Sequence, residues 1–426
     1  MAAYREMSRQ QLEDELISLE REYNEYKAKG LRLDLSRGKP DREQLELSLP
    51  MMDLLSSSDS LVGEDGADAC NYGVLDGLPE AKRLMAGILE ISPGQVFVGG
   101  NSSLNLMHDC MGLGFIHGFP GGSGGWHKEA NAKFLCPAPG YDRHFAVTAH
   151  FGIELVNIPM TDEGPDMNEV ERLVADPAVK GIWCVPKYQN PLGITFSDEV
   201  VRRFAKLEPA AGDFRIFWDN AYAVHDLYPG EGDTLLNLMD ELRKTGKEDM
   251  VLMFASTSKM TFAGAGIAAI GASENNIAHI KKHFGLQTIG YDKLNMLRHT
   301  KFLPDIDAVR AHMAKHAAIL RPKFEAVLNT LDKNLRQTSI ADWTNPRGGY
   351  FIPLDVMDGC AKRTIQLCKE AGVIMTGAGA AFPYGKDPAD RNIRIAPTFA
   401  SPGEVELAAG LLCLCVKIAC VEKLLD

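Results

Sequence analysis

The sequence predicts an α/β protein with a large domain, built on a mostly parallel seven-stranded sheet flanked by helices, and a smaller α/β domain. Three observations predict it. Seven short apolar segments recur along the middle of the chain: QVFVGG, KFLCP, ELVNIP, GIWCVP, RIFWDN, VLMFAS and GIAAIG. Stretches of helix formers separate them, the alternation that yields parallel strands joined by crossover helices. The chain has 426 residues, more than the roughly 250–300 at which one core stops growing. The expected boundaries are 60–315 for the large domain, with 1–59 and 316–426 forming the small domain and an N-terminal arm.

Taken in order, Leu12, Leu16, Leu19, Tyr23 and Tyr26 repeat at three- and four-residue steps. They define one face of a first helix that Gly30 can end. Leu31 to Leu35 reads as a short extended segment before the polar turn SRGKP, where Arg37, Gly38 and Lys39 would form a pocket rim. Beyond the seven strand segments, Asp305 to Leu335 has few turn signals and reads as a helix joining the domains. GGYFIPL and NIRIAP then read as strands. Ser401, Pro402 and Glu404 supply the cap, first-turn proline and capping-box acid of a closing helix.

Composition excludes several classes of function. The net charge is −12 without a long Lys/Arg run, so no broad nucleic-acid surface is expected. The nine cysteines are scattered without a C-x-x-C pair, the pattern of reduced thiols rather than a disulfide framework or zinc site. The apolar run LAAGLLCLCV is ten residues long, too short for a membrane span of about 20. A cytoplasmic enzyme, with neither membrane nor metal, is the expectation.

Four segments carry chemistry. In ASTSK, Lys259 follows the apolar run VLMF; a lysine at a buried strand end can hold its amine in a cleft and form a Schiff base with a cofactor aldehyde. In FRIFWDNAYAVHD, Asp219 can keep a pyridine nitrogen protonated, and Tyr222 can donate to a phenolic oxygen. Asn190, in KYQNPLG, is a third strand-end donor. In QVFVGGNSSLNLM, the helix start at Ser102 and Ser103 offers backbone and hydroxyl donors to a phosphate, with Ser256 and Ser258 as a second source. Far along the chain, Arg394 presents a paired fork that fits an α-carboxylate. Taken singly, each feature has an ordinary structural explanation: a surface lysine, a turn carboxylate, a helix cap, an exposed ion pair.

In order and separation, NPLG, DNAY, STSK and NIRIAP resemble the fold-type I aminotransferases that use pyridoxal 5'-phosphate. NYGVLDG, GNSSLNL, PGYDRHF, TSKMTFAGAG and PYGKDPADRNIRIAP look most like their aspartate aminotransferase-like branch, described as the MocR-type aminotransferase domain. The resemblance runs from about Leu31 to the last helix. It implies that Lys259 binds the cofactor covalently, that Asp219 pairs with its ring nitrogen, and that Asn190 and Tyr222 contact its phenolic oxygen. It further implies that Arg394 takes the substrate α-carboxylate beside Asn190 and Gly38, and that Tyr141 lies against the ring. Ser102, Ser103 and Ser256 would hold the phosphate, and Tyr72 would reach the neighbouring subunit's phosphate in a homodimer with shared active sites. One position departs from the pattern: many relatives carry a phosphate-binding arginine eight residues after the lysine, where this chain has Ile267.

The implied reaction moves an amino group from an L-amino acid, with aspartate the leading donor, to a 2-oxo acid, with 2-oxoglutarate the leading acceptor. The alternatives are transfer from alanine or aromatic amino acids, a lyase or decarboxylase, and a non-enzymatic ligand-binding regulatory domain. A dicarboxylate requires a second cation, for which Arg32, Arg37, Lys39 and Arg298 are candidates.

Overall fold

The structure, a computed structural model, describes residues 4–426. Its large sheet consists of β1 (Val96–Val98), β2 (Lys133–Ala138), β3 (Glu154–Thr161), β4 (Gly164–Pro165), β5 (Val179–Cys184), β6 (Arg215–Asp219), β7 (Val251–Ser256) and β8 (Ala268–Ala272). The spatial order is β1-β8-β7-β6-β5-β2-β3-β4. Seven of these are the expected strands. The eighth, β4, is a two-residue edge piece antiparallel to β3; a Gly-Pro pair has no apolar periodicity by which to announce itself.

β3, β2, β5, β6 and β7 run parallel, while β8 is antiparallel to both β7 and β1. Two reversals make β1 point the same way as β7. The C-terminal ends of β1, β2, β5, β6 and β7 therefore open on one edge of the sheet, where ligands of open α/β sheets bind.

The two faces of the sheet carry different cores. Ile216 and Trp218 enter one cluster with Met253 and Ile182, while Phe217 enters the other with Phe134, Trp183 and Phe254. This is the two-residue alternation of a strand buried on both sides.

A third core gathers the ends of the chain. The first helix, Arg9–Ala28, carries a capping box between Ser8 and Gln11 and buries Leu12, Leu19 and Tyr23. It packs on the last helix, Pro402–Leu425, which is capped by Ser401 and Glu404. Leu33–Asp34 pairs in parallel with Val373–Ile374, and Ile352–Val356 pairs antiparallel with Asn392–Ile395. The helix Ile306–Leu335 contributes Val309 and Met313 to the large-sheet core and Leu320, Phe324, Val327 and Leu331 to the terminal core. Among the described residues no helix is long and apolar enough to cross a membrane.

Candidate active site

A cavity of about 670 Å³ lies at the shared edge of the parallel strands. Asp219 and Ser256 end β6 and β7, and Lys259 and Tyr222 lie three residues past those strand ends. Asn190 follows β5, Tyr141 follows β2, and Ser102 and Ser103 follow β1. All of them line this cavity, as do Arg394 and Gly38 from the terminal core. Tyr72 does not line it and is 82% exposed.

Asp219 is deeply buried and only one of its oxygens is occupied. His144 Nε2 lies 3.0 Å from Asp219 Oδ2. The imidazole stacks on Trp183 at 4.3 Å and 9°. Trp183 Nε1 donates to Thr148 Oγ1 at 2.8 Å, and Thr148 donates to the His144 carbonyl at 3.0 Å. This closed set of contacts fixes the carboxylate. Asp219 Oδ1 is buried and has no hydrogen-bond partner among the described residues. A buried acceptor left unpaired costs about 1–3 kcal/mol, a cost that a donor on a bound group, such as a protonated pyridine nitrogen, would remove.

The Lys259 ammonium lies 4.9 Å from the Tyr222 ring centre and 5.7 Å from that of Tyr350. Burial pushes its pKa below the usual lysine value, and the nearby Asp219 opposes that shift. More of the amine is thus in its nucleophilic, proton-accepting form at neutral pH than an exposed lysine would offer. Burial has the opposite consequence for phenols. It pushes Tyr222 well above its ordinary value, with Tyr141 and Asp219 adding to the shift, and lifts Tyr141 to about 12. Both hydroxyls remain protonated donors.

The helix Ser103–His117 begins at the cavity with Ser102 as its cap residue, yet the Ser102 hydroxyl makes no capping bond. Its first-turn N–H groups and free hydroxyl therefore remain available to an anion. Gly100 permits the preceding turn through a φ of +64°. Ser256 donates to Ser258 at 3.1 Å, and Ser258 donates to the Asn101 carbonyl at 3.2 Å, so the second pair of hydroxyls faces the same loop. Ile267 is buried in the apolar core and its N–H binds Thr257 Oγ1 at 3.0 Å, so no cation comes from that position. The donor set fits a phosphorylated pyridine aldehyde: an amine, an unsatisfied carboxylate oxygen, and a helix start with free donors.

Arg394 reaches in from the strand Asn392–Ile395. Its Nη1 donates to Asp142 Oδ1 at 3.2 Å and to Asn190 Oδ1 at 3.4 Å, and its Nη2 donates to Thr376 Oγ1 at 3.4 Å. The guanidinium lies 4.9 Å from the Phe351 ring centre, and its buried Nε lacks a partner among the described residues. Sequence reasoning missed His144, Asp142, Thr376 and Phe351. Only the first two left a trace, as the acid and the histidine two residues apart in PGYDRHF.

A sheet whose strand ends bring a half-buried lysine, a half-satisfied aspartate and an opposed arginine around one cavity has the arrangement of an aminotransferase. The family model described as aspartate amino-transferase matches residues 7–426, and the chain belongs to that family. It is 48% identical over 411 residues to a putative aminotransferase of Mycolicibacterium smegmatis, covering 95% of each chain. It is 43% identical to an aspartate aminotransferase of Corynebacterium glutamicum, covering 95% of this chain and 93% of that one. The crystal structure of an aspartate transaminase from Corynebacterium glutamicum superposes with a TM-score of 0.97 at 41% identity, covering 99% of both chains. The family implies pyridoxal phosphate as cofactor, and amino and 2-oxo acids as substrates.

Proposed function

We propose that the protein binds pyridoxal 5'-phosphate on Lys259 and transfers the amino group of aspartate to 2-oxoglutarate. The observation that carries the cofactor reading is the unpartnered Asp219 Oδ1, buried in the same cavity as the Lys259 amine. The choice of aspartate is supported by the name of the Corynebacterium relative, 43% identical over nearly the whole chain.

When bound, the cofactor supplies an electron-withdrawing ring that stabilises negative charge on the carbon beside the substrate amine. Asp219 keeps the ring nitrogen protonated, and His144 keeps Asp219 in place. Tyr222 and Asn190 donate to the phenolic oxygen, and Tyr141 packs against the ring. Ser102, Ser103, Ser256 and the helix start hold the phosphate. Arg143, which shares with Ser102 both this cavity and an adjoining depression, is placed to add charge there. Arg394 orients the α-carboxylate so that the substrate's α-hydrogen faces Lys259. Lys259 Nζ would take that proton from the α-carbon and later return one, acting in turn as base and acid. In this reading residues 60–315 carry the cofactor, while 1–59 and 316–426 close over the substrate.

The same reading makes the protein a homodimer working in the cytoplasm. Tyr72 is highly exposed and outside its own cavity, as are Leu286 at 88% and Ile289 at 61%, so these side chains are free to meet a second copy.

An amino-donor screen of the cofactor-loaded protein tests the proposal. Aspartate is expected to change the cofactor's visible absorbance and release oxaloacetate, and 2-oxoglutarate to restore the spectrum. Release of an amine, or of carbon dioxide with the amino group retained on the product, would instead reveal a lyase or decarboxylase.

A further inference from the structure

We propose that Arg37 is the residue that receives the second carboxylate of a dicarboxylic substrate, opposite Arg394, which takes the first. The inference rests on the aminotransferase reading above and assigns the side of the site that the family comparison leaves open.

Four basic residues were available in sequence for this role, and the structure separates them. Arg298 is engaged elsewhere, donating to Asn295 Oδ1 at 2.6 Å and lying 3.6 Å from Met52 Sδ. The Lys39 ammonium sits 3.8 Å from the centre of the Phe399 ring. Neither these two nor Arg32 lines the cavity, whereas Arg37 does.

Both neighbours of Arg37 are tied to the surroundings of Arg394. On one side, the Ser36 carbonyl accepts a hydrogen bond from Thr376 Oγ1 at 2.9 Å, and the same Oγ1 accepts from Arg394 Nη2 at 3.4 Å. On the other side, Gly38 lies so close to Phe351 that a Cβ there would fall 2.4 Å from its Cζ. Arg394 lies over the face of that same ring, 4.9 Å from its centre. One hydroxyl and one aromatic ring thus separate the backbone of residues 36–38 from the Arg394 guanidinium. Both cations line the one cavity.

Their partners differ in a way that matches the two tasks. Arg394 is held at 3.2 Å by Asp142 and also touches Asn190 and Thr376, which fixes the end common to every amino acid. Arg37 is exposed, and its guanidinium has no ion pair or hydrogen bond among the described residues, the residue's one contact being its carbonyl, which accepts from Lys39 N–H at 3.0 Å. An unpaired guanidinium at a pocket rim retains its charge for an incoming anion. Its long side chain can also follow a carboxylate that moves by one carbon. Alternating transfer demands that freedom, because a single site must accept both aspartate and the longer 2-oxoglutarate.

Succinate and butyrate, one with two carboxylates and one with a single carboxylate, serve as non-reacting probes of the cofactor-loaded protein by calorimetry. Arg37→Gln is expected to weaken succinate binding roughly 100-fold relative to butyrate, the scale of a lost bidentate arginine–carboxylate contact. Arg37→Lys should recover part of it, since a point charge replaces the fork. The kcat/KM ratio of aspartate to alanine should fall in parallel. Lys39→Gln, at a residue outside the cavity, should leave the ratio at the wild-type value. If wild type prefers succinate and Arg37→Gln preserves that preference, the assignment of Arg37 is overturned while the aminotransferase reading stands. If wild type fails to prefer succinate yet transfers from alanine, the dicarboxylate reading falls and this proposal with it.

Discussion

The floor and the rim of the cavity are built by different means. On the floor, Asp219 and His144 are almost wholly buried and joined at 3.0 Å, and the imidazole is clamped by Trp183. At the rim, Arg394 is held by contacts of 3.2–3.4 Å, one of them to the partly exposed Asp142, and the Arg37 guanidinium is held by none among the described residues. Low dielectric strengthens the floor's polar contacts and penalises any rearrangement, whereas water screens the rim. The difference separates two duties. The floor sets an electronic environment that every substrate shares, and at the rim the unheld Arg37 adjusts to whichever substrate arrives.

Mutations can break that comparison, and the largest effect falls on the floor. Lys259→Met should lower turnover by roughly 10⁴-fold or more with every donor. It should also abolish the cofactor attachment that borohydride makes permanent, as read by mass spectrometry. Asp219→Asn should lower kcat by about 10²–10³-fold, the scale of losing one preorganised electrostatic contact, again equally for aspartate and alanine. A donor-dependent loss in either variant would show that the floor also takes part in selection. Arg394→Lys tests the rim: a point charge cannot reproduce the fork. Steady-state kinetics should therefore show KM rising about 10-fold or more with a smaller change in kcat.

The smallest effect lies behind the rim, where Gln44 Nε2 approaches His316 Nδ1 at 3.1 Å and donates to the Tyr350 hydroxyl at 3.0 Å. Tyr350 in turn packs beside Tyr222, with ring centres 6.0 Å apart. Burial, with His312 adding, pushes His316 down to about 4. Between about pH 6.5 and 4 the unfolded chain therefore binds a proton at this histidine that the folded chain refuses, so stability falls as the solution is acidified. Urea midpoints at pH 7 and pH 5 should differ more for wild type than for His316→Gln. Identical pH responses would mean that this contact between arm and helix carries no titration cost.

Legibility in the sequence followed the range of the interactions. Lys259, Asp219 and Asn190 stand at or past strand ends whose apolar runs are local, so their convergence on one edge follows from parallel pairing, while Ser102 reaches the same edge through the two reversals around β8. Seven strands and the helices Arg9–Ala28, Ile306–Leu335 and Pro402–Leu425 were readable for the same reason. The partner of Asp219 was not, because His144 lies 75 residues away and touches it only after β2, β5 and β6 have paired. Nor was the choice among Arg32, Arg37, Lys39 and Arg298, which depends on where Phe351 and Phe399 fall in space.

The two ends of the chain are joined to the large-sheet core by two passages, and these differ mechanically. The first is made by short turns and helical pieces between Leu35 and Ala69. The second lies inside the 30-residue helix Ile306–Leu335, which has one end embedded in each core and Pro322 within it. A proline there has no N–H to give to the preceding turn. Any swing of one core against the other must therefore be absorbed by flexing a rod, and that missing hydrogen bond marks where the rod is softest.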